Sequence, residues 1–172
     1  MRPPLQPVAP RIDDPIELLM ACHEKVRRFA DLAVRLRDHA ASKGADAQAQ
    51  EAARSILRYF NIAAPLHHDD EEVDLFPALW QLGDTQLNLS MAQLESEHGE
   101  LAGLWRSLGP WLEALSAGAD HPAPPSVDDF AHRYPAHAQR EEDEVYPFAS
   151  RLSPEQIKEI SAAMVARRTA SN

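Results

Sequence analysis

Pro65-Leu66-His67-His68-Asp69-Asp70-Glu71-Glu72-Val73-Asp74-Leu75-Phe76-Pro77 decides the fold, because a near copy follows it: Pro135-Ala136-His137-Ala138-Gln139-Arg140-Glu141-Glu142-Asp143-Glu144-Val145-Tyr146-Pro147. The two align without a gap as Pro-x-His-x-x-x-Glu-Glu-x-x-aliphatic-aromatic-Pro. Each copy sets a histidine and a glutamate four residues apart. On a helix such residues stand one above the other, so an imidazole nitrogen and a carboxylate oxygen can reach the same small volume.

Outward from these motifs the chain reads as helix. Apolar residues recur at spacings of three and four: Ile16, Leu19, Val26, Ala30 and Ala33; Ala53, Leu57, Phe60, Ala64, Leu75 and Ala78; Leu87, Met91, Leu94, Leu101, Trp105, Leu108 and Leu112; Phe130, Tyr134, Val145 and Phe148. These are bundle-facing stripes. Expected helices run from Pro15, capped by Asp13 or Asp14, to about 39; from about 47 to 82; from about 85 to 116; and from Ser126, with a capping-box-like Asp129, to about 147–151. Gly44, Gly83 and the proline-rich 118–125 stretch separate them. Ser153 and Pro154 open a short fifth helix. The expectation is all-α: an up-down-up-down four-helix bundle over residues 13–152, an irregular proline-rich arm over 1–12, and a C-terminal helix and tail over 153–172.

Each stripe is interrupted by ionisable residues: His23, His67 with Glu71, His98, and His137 with Glu141. A lone carboxylate in an apolar core is costly, and no lysine or arginine shares the stripe beside Glu71 or Glu141. A bound cation is the simplest compensation. Four imidazoles and two carboxylates exceed one tetrahedral site and suit two metals bridged by the carboxylates. His23 overlays His98, so the chain reads as two helix pairs about a pseudo-twofold axis. Pro65 and Pro135 precede the ligand histidines by two residues and are expected to bend their helices.

Composition narrows the function classes. The net charge of −10 disfavours nucleic acid and anionic membranes. One cysteine, Cys22, excludes an intrachain disulfide framework. No apolar run is long enough to span a membrane and nothing resembles a signal peptide, so a cytoplasmic location is expected.

These residues resemble the hemerythrin-like, or HHE cation-binding, family over nearly the whole span from Asp13 to Pro147. His67-x-x-x-Glu71-Glu72-x-x-Leu75-Phe76-Pro77 matches its second-helix motif, and Glu97-His98 with Glu100-Leu101 resembles its third-helix motif. The resemblance implies a non-haem di-iron centre, oxo- or hydroxo-bridged, on His23, His67, Glu71, His98, His137 and Glu141. Zinc and manganese also suit nitrogen and carboxylate donors. The family includes oxygen carriers, oxygen or iron sensors and iron–sulfur cluster repair proteins. Oxygen carriers have a second third-helix histidine four residues away, where this chain has Leu94 and Ala102. They also have an aspartate five residues after the fourth-helix histidine, where this chain has Glu141 at four and Glu142 at five. The repair proteins match the ligand set better, but carry an N-terminal cysteine-bearing segment, whereas Cys22 lies inside the first helix.

Three functions follow. The centre binds or senses dioxygen, nitric oxide or iron; or it performs peroxide or nitric oxide chemistry or donates iron as a stress-response or repair factor; or it is a structural metal in an interaction module. Whether the protein is an enzyme stays open. The fifth helix, with Ile157, Ile160, Met164 and Val165, suits docking on the bundle or on a second copy as a homodimer.

The remaining polar residues have plainer readings. His68 points about 100° away from His67 and is expected behind the ligands or at the surface. Tyr134, Leu94, Leu101 and Trp105 are expected to line the pocket, with Tyr59 a weaker candidate. Asp69, Asp70, Glu72 and Glu142 read as a solvated acidic face. His39, His121 and His132 read as solvated, Cys22 as an inert thiol, and Trp80, Trp105 and Trp111 as packing residues. A ferritin-like arrangement needs Glu-x-x-His on two helices, and only Glu95-x-x-His98 fits.

Overall fold

The computed structural model of the chain describes residues 13–170; the proline-rich arm expected over 1–12 lies outside the described residues. Helix α1 spans Pro15–Lys43 and α2 covers 47–80. Helix α3 spans Thr85–Ser116, α4 spans Val127–Glu144, and α5 spans Pro154–Ala170. No strand occurs among the described residues. Helix α1 packs on α2 and α4, and α3 packs on the same two helices, closing a ring of four.

The caps explain most boundaries. Asp14 accepts from the Ile16 and Glu17 amides at 2.8 and 3.4 Å. Asp46 and Asp84 do the same for α2 and α3. Ser153 and Gln156 form a reciprocal capping box at α5. Two boundaries differ from expectation. Helix α1 continues to Lys43 and ends at Gly44, whose φ of 66° is open to glycine. Ser126 does not cap α4; its hydroxyl pairs with Ser107 Oγ at 2.7 Å.

Prolines shape the two helices that carry the histidine–glutamate pairs in two ways. In α2 a π-helical turn, Tyr59–Ala63, immediately precedes Ala64-Pro65, and the Ala64 amide donates to the Tyr59 carbonyl. A second π-helical turn, Asp70–Leu75, precedes Phe76-Pro77, and the Phe76 amide donates to the Glu71 carbonyl. Proline lacks the N–H for the normal ladder and crowds the carbonyl four residues back; the wider turn accommodates both. In α4, Pro135 sits within uninterrupted α-helix. That helix instead breaks at Val145, which has φ −121° and ψ −56°, and continues as a 3₁₀ turn over Tyr146–Arg151. The repeat is therefore exact in spacing but not in backbone.

The apolar core falls into two clusters with the ionisable residues between them. One contains Val26, Ala64, Leu101 and Tyr134. The other contains Leu19, Leu75, Leu94 and Val145. Along α1 and α3 the chain passes from the second cluster through His23 or His98 to the first; along α2 and α4 it runs the other way. This alternation is the up-down-up-down bundle, and it sets all four histidines at one depth. Helix α5 lays Ile160 and Met164 on the second cluster. Trp111 is buried in the first cluster as a packing residue, but Trp80, expected to pack, is 50% exposed at the end of α2.

Candidate metal centre

His23, His67, Glu71, His98, His137 and Glu141 converge between the two clusters, all at most 6% exposed. Their donor atoms form two groups, His23–His67–Glu71–Glu141 and His98–His137–Glu141. Each helix pair thus supplies one histidine pair. The carboxylates span both. Glu141 Oε2 lies 3.0 Å from His23 Nε2, while its Oε1 lies 2.8 Å from His137 Nε2 and 3.2 Å from His98 Nε2. Glu71 Oε1 lies 3.4 Å from His67 Nε2, and its Oε2 lies 3.4 Å from His98 Nε2.

Two tests show that these residues fit a cation. Donors about 2.1 Å from one first-row metal stand about 3.0 Å apart at right angles and about 3.4 Å apart at the tetrahedral angle. The spacings above match. Moreover, the buried Glu71 Oε2 and His137 Nε2 make no hydrogen bond despite such close neighbours. Buried polar atoms without a hydrogen bond need another partner, and a bound cation supplies one to each.

The outer nitrogens are held by carboxylates. His23 Nδ1 pairs with Glu142 Oε1 at 2.8 Å, His98 Nδ1 with Glu72 Oε1 at 2.5 Å, and His137 Nδ1 with Glu97 Oε2 at 2.8 Å. Such partners fix the tautomer that turns Nε2 inward. Arg27 and Arg140 in turn donate to Glu142 and Glu97. His67 is the exception: no carboxylate holds its Nδ1, and the side chain against it is Cys22. Glu97 precedes His98 in sequence; the residue in the same relation to His23 is Cys22.

The reading of Glu72, Glu142 and Asp70 as a solvated acidic face is therefore corrected. Glu72 and Glu142 each serve the single histidine of a neighbouring helix. Asp70 is fully buried, with Oδ1 2.5 Å from Arg167 and Oδ2 2.7 Å from Arg168 of α5. Asp69 is exposed as expected. His68 stacks on His98 with ring centroids 4.0 Å apart, and its Nε2 pairs with the Tyr134 hydroxyl at 3.2 Å. Burial, then the His98 charge, push the His68 pKa down to about 3, so its ring is neutral. Leu94 and Leu101 are buried in the two apolar clusters that flank the ionisable layer, while Trp105 packs on Phe60 and Phe130. The Tyr59 hydroxyl faces away and donates to the Cys22 carbonyl. Among the solvated histidines, His121 and His132 are exposed, whereas His39 pairs with Asp46.

Without metal, the cluster is held by its own charges. Burial and the Glu141 charge work against ionised Glu71, but His67 and His98 hold its pKa down at about 2. Burial likewise opposes charge on His98, but Glu141 and Glu71 raise its pKa to about 10. Glu71 contributes stability above its ordinary 4.5 that is lost as pH falls towards 2, and His98 contributes stability below its ordinary 6.5 that is lost as pH rises towards 10. The chelator-stripped protein is therefore expected to melt highest between pH 4.5 and 6.5 and lower on both sides. Metal requires neutral imidazoles, so loading moves the optimum upward. Melting curves across pH check this; a stripped protein equally stable from pH 6.5 to 10 contradicts it.

Fold and site together define a helical-bundle cation-binding protein. Residues 14–149 match the hemerythrin HHE cation binding domain, and the chain belongs to that family. It is also 36% identical over 157 residues, covering 91% of each chain, to an uncharacterized protein of Haemophilus influenzae. No helix among the described residues is long and apolar enough to cross a membrane.

Proposed function

We infer that the chain holds two iron ions bridged by Glu71 and Glu141, and that this centre binds or senses dioxygen or nitric oxide in the cytoplasm. The observation that carries the reading is the placement of the carboxylates, each with one oxygen beside each histidine pair. The irons supply electrons and adjacent binding positions for a small ligand. The chain's own residues hold the histidine tautomers through Glu72, Glu97 and Glu142, and exclude water with Leu94 and Leu101.

A second reading is favoured by Leu94, which is fully buried where a further α3 ligand would stand. Each metal then has only two histidines, and ligand positions on both irons suit peroxide or nitric oxide turnover, or release of iron to damaged clusters. The anaerobically reduced protein separates the two. An absorption band that appears in air and reverses when oxygen is removed supports binding. Irreversible oxidation with consumption of added peroxide supports the stress-response reading. A spectrum unchanged by air, by nitric oxide and by peroxide rules out both.

A further inference from the structure

Tyr146 breaks the symmetry of the centre. Its ring is 4% exposed and lies parallel to the His23 imidazole, with centroids 5.3 Å apart. Its hydroxyl oxygen is 2.5 Å from Glu71 Oε1 and 3.2 Å from His23 Nε2. These spacings match those among the inward donors themselves, such as 3.1 Å between His23 Nε2 and His67 Nε2. The phenol oxygen thus stands in the donor shell of the His23–His67 half. In the repeat Tyr146 corresponds to Phe76; both rings are buried in the second apolar cluster, but Phe76 has no donor atom. The backbone explains the placement: α4 breaks at Val145, and Tyr146 begins the 3₁₀ turn, whereas Phe76 follows a π-helical turn and continues α2.

We propose that Tyr146 is a seventh ligand of the centre, bound as phenolate to the metal of the His23–His67 half only. This rests on the two-iron reading above. On binding, the O–H bond breaks as the oxygen–metal bond forms, and the proton leaves to the buffer; no electron is transferred. The His23–His67 half then has His23, His67, Glu71, Glu141 and Tyr146, while the other has His98, His137, Glu71 and Glu141. The His98–His137 half is the less filled, so an external ligand binds there, beside His68 and Leu94.

The test uses the full chain loaded with iron and oxidised to the ferric state with ferricyanide, with iron counted separately. A phenolate-to-ferric charge-transfer band is expected in the visible. Resonance Raman excitation into it should enhance tyrosine ring modes that shift when the protein carries ring-deuterated tyrosine, a measurement that needs no variant. Tyr146→Phe should abolish the band while keeping the iron count, and Tyr59→Phe should leave it intact. Iron bound at the expected count with no tyrosine-dependent band, or a band that survives in Tyr146→Phe, overturns the proposal and leaves the two-iron reading standing. Failure of the wild type to retain iron overturns both.

Discussion

Replacing Glu141 with alanine is expected to strip the protein of both metals. Glu141 is the one residue common to both donor groups, and its two oxygens face three of the four histidines. The substitution removes the carboxylate that faces both histidine pairs, and with it the charge that raises the His137 and His98 pKa against burial. Losing an outer hydrogen-bond partner alone typically weakens metal affinity about 10–100-fold, and loss of a direct ligand to two ions exceeds that. Glu142→Gln is the comparison. It keeps the inward donors but loses the carboxylate on His23 Nδ1, so its affinity should fall only within the roughly 10–100-fold range. Metal retained after dialysis against graded chelator measures both. A Glu141→Ala protein that keeps its metals as tightly as Glu142→Gln contradicts the bridging role.

The double substitution Arg167→Ala with Arg168→Ala should produce the largest loss of stability. Asp70 sits in the π-helical turn beside Glu71, fully buried, with Arg167 and Arg168 on its oxygens; Arg167 also reaches Asp74 Oδ2 at 2.6 Å. Without the arginines a buried carboxylate is left uncompensated, which typically costs about 3–5 kcal/mol. For a chain of this size that corresponds to a fall in melting temperature of roughly 6–20 °C. The C-terminal helix loses its hold on α2 at the same time, so water that reaches Asp70 limits the cost to the lower part of that range. Asp70→Asn in the same background should recover part of the loss, because the neutral amide is cheaper to bury. Differential scanning calorimetry at constant metal content reads both. A shift of less than about 2 °C would show that the cluster is ornamental to the fold.

The six inward residues were legible in sequence because they violate a pattern. His23, His67, Glu71, His98, His137 and Glu141 fall where the three-and-four spacing demands an apolar side chain, and a buried ionisable group needs a partner. The bundle was legible for the complementary reason, that the stripes agree with the Asp14 cap and with the breaks at Gly44, Gly83 and 118–125. The outer partners were not. Glu72, Glu97 and Glu142 lie off the stripes, where periodicity assigns them to solvent, and they serve histidines of other helices. One clue was present: the second glutamate recurs in both motif copies, and in both it supports the single-histidine helix.

Asp70 was hidden by distance, because its arginines lie near the C-terminus on a helix that docks across the bundle. Tyr146 was hidden by backbone. The repeat pairs it with Phe76, and only the break at Val145 turns its hydroxyl to the centre. The bends expected at Pro65 and Pro135 show the same limit. A proline announces that the ladder is disturbed, but not whether the chain answers with a π-helical turn, as in α2, or keeps an α-helix, as in α4.

One buried layer of six side chains is expected to hold two metals. The most direct test is the metal content of protein purified from cells and freed of loosely held ions on a chelating resin, by inductively coupled plasma mass spectrometry against amino-acid-analysis protein concentration. About two metal ions per chain, predominantly iron, are expected, both lost together in Glu141→Ala. One metal per chain or none, persisting after reconstitution with ferrous iron, would contradict it.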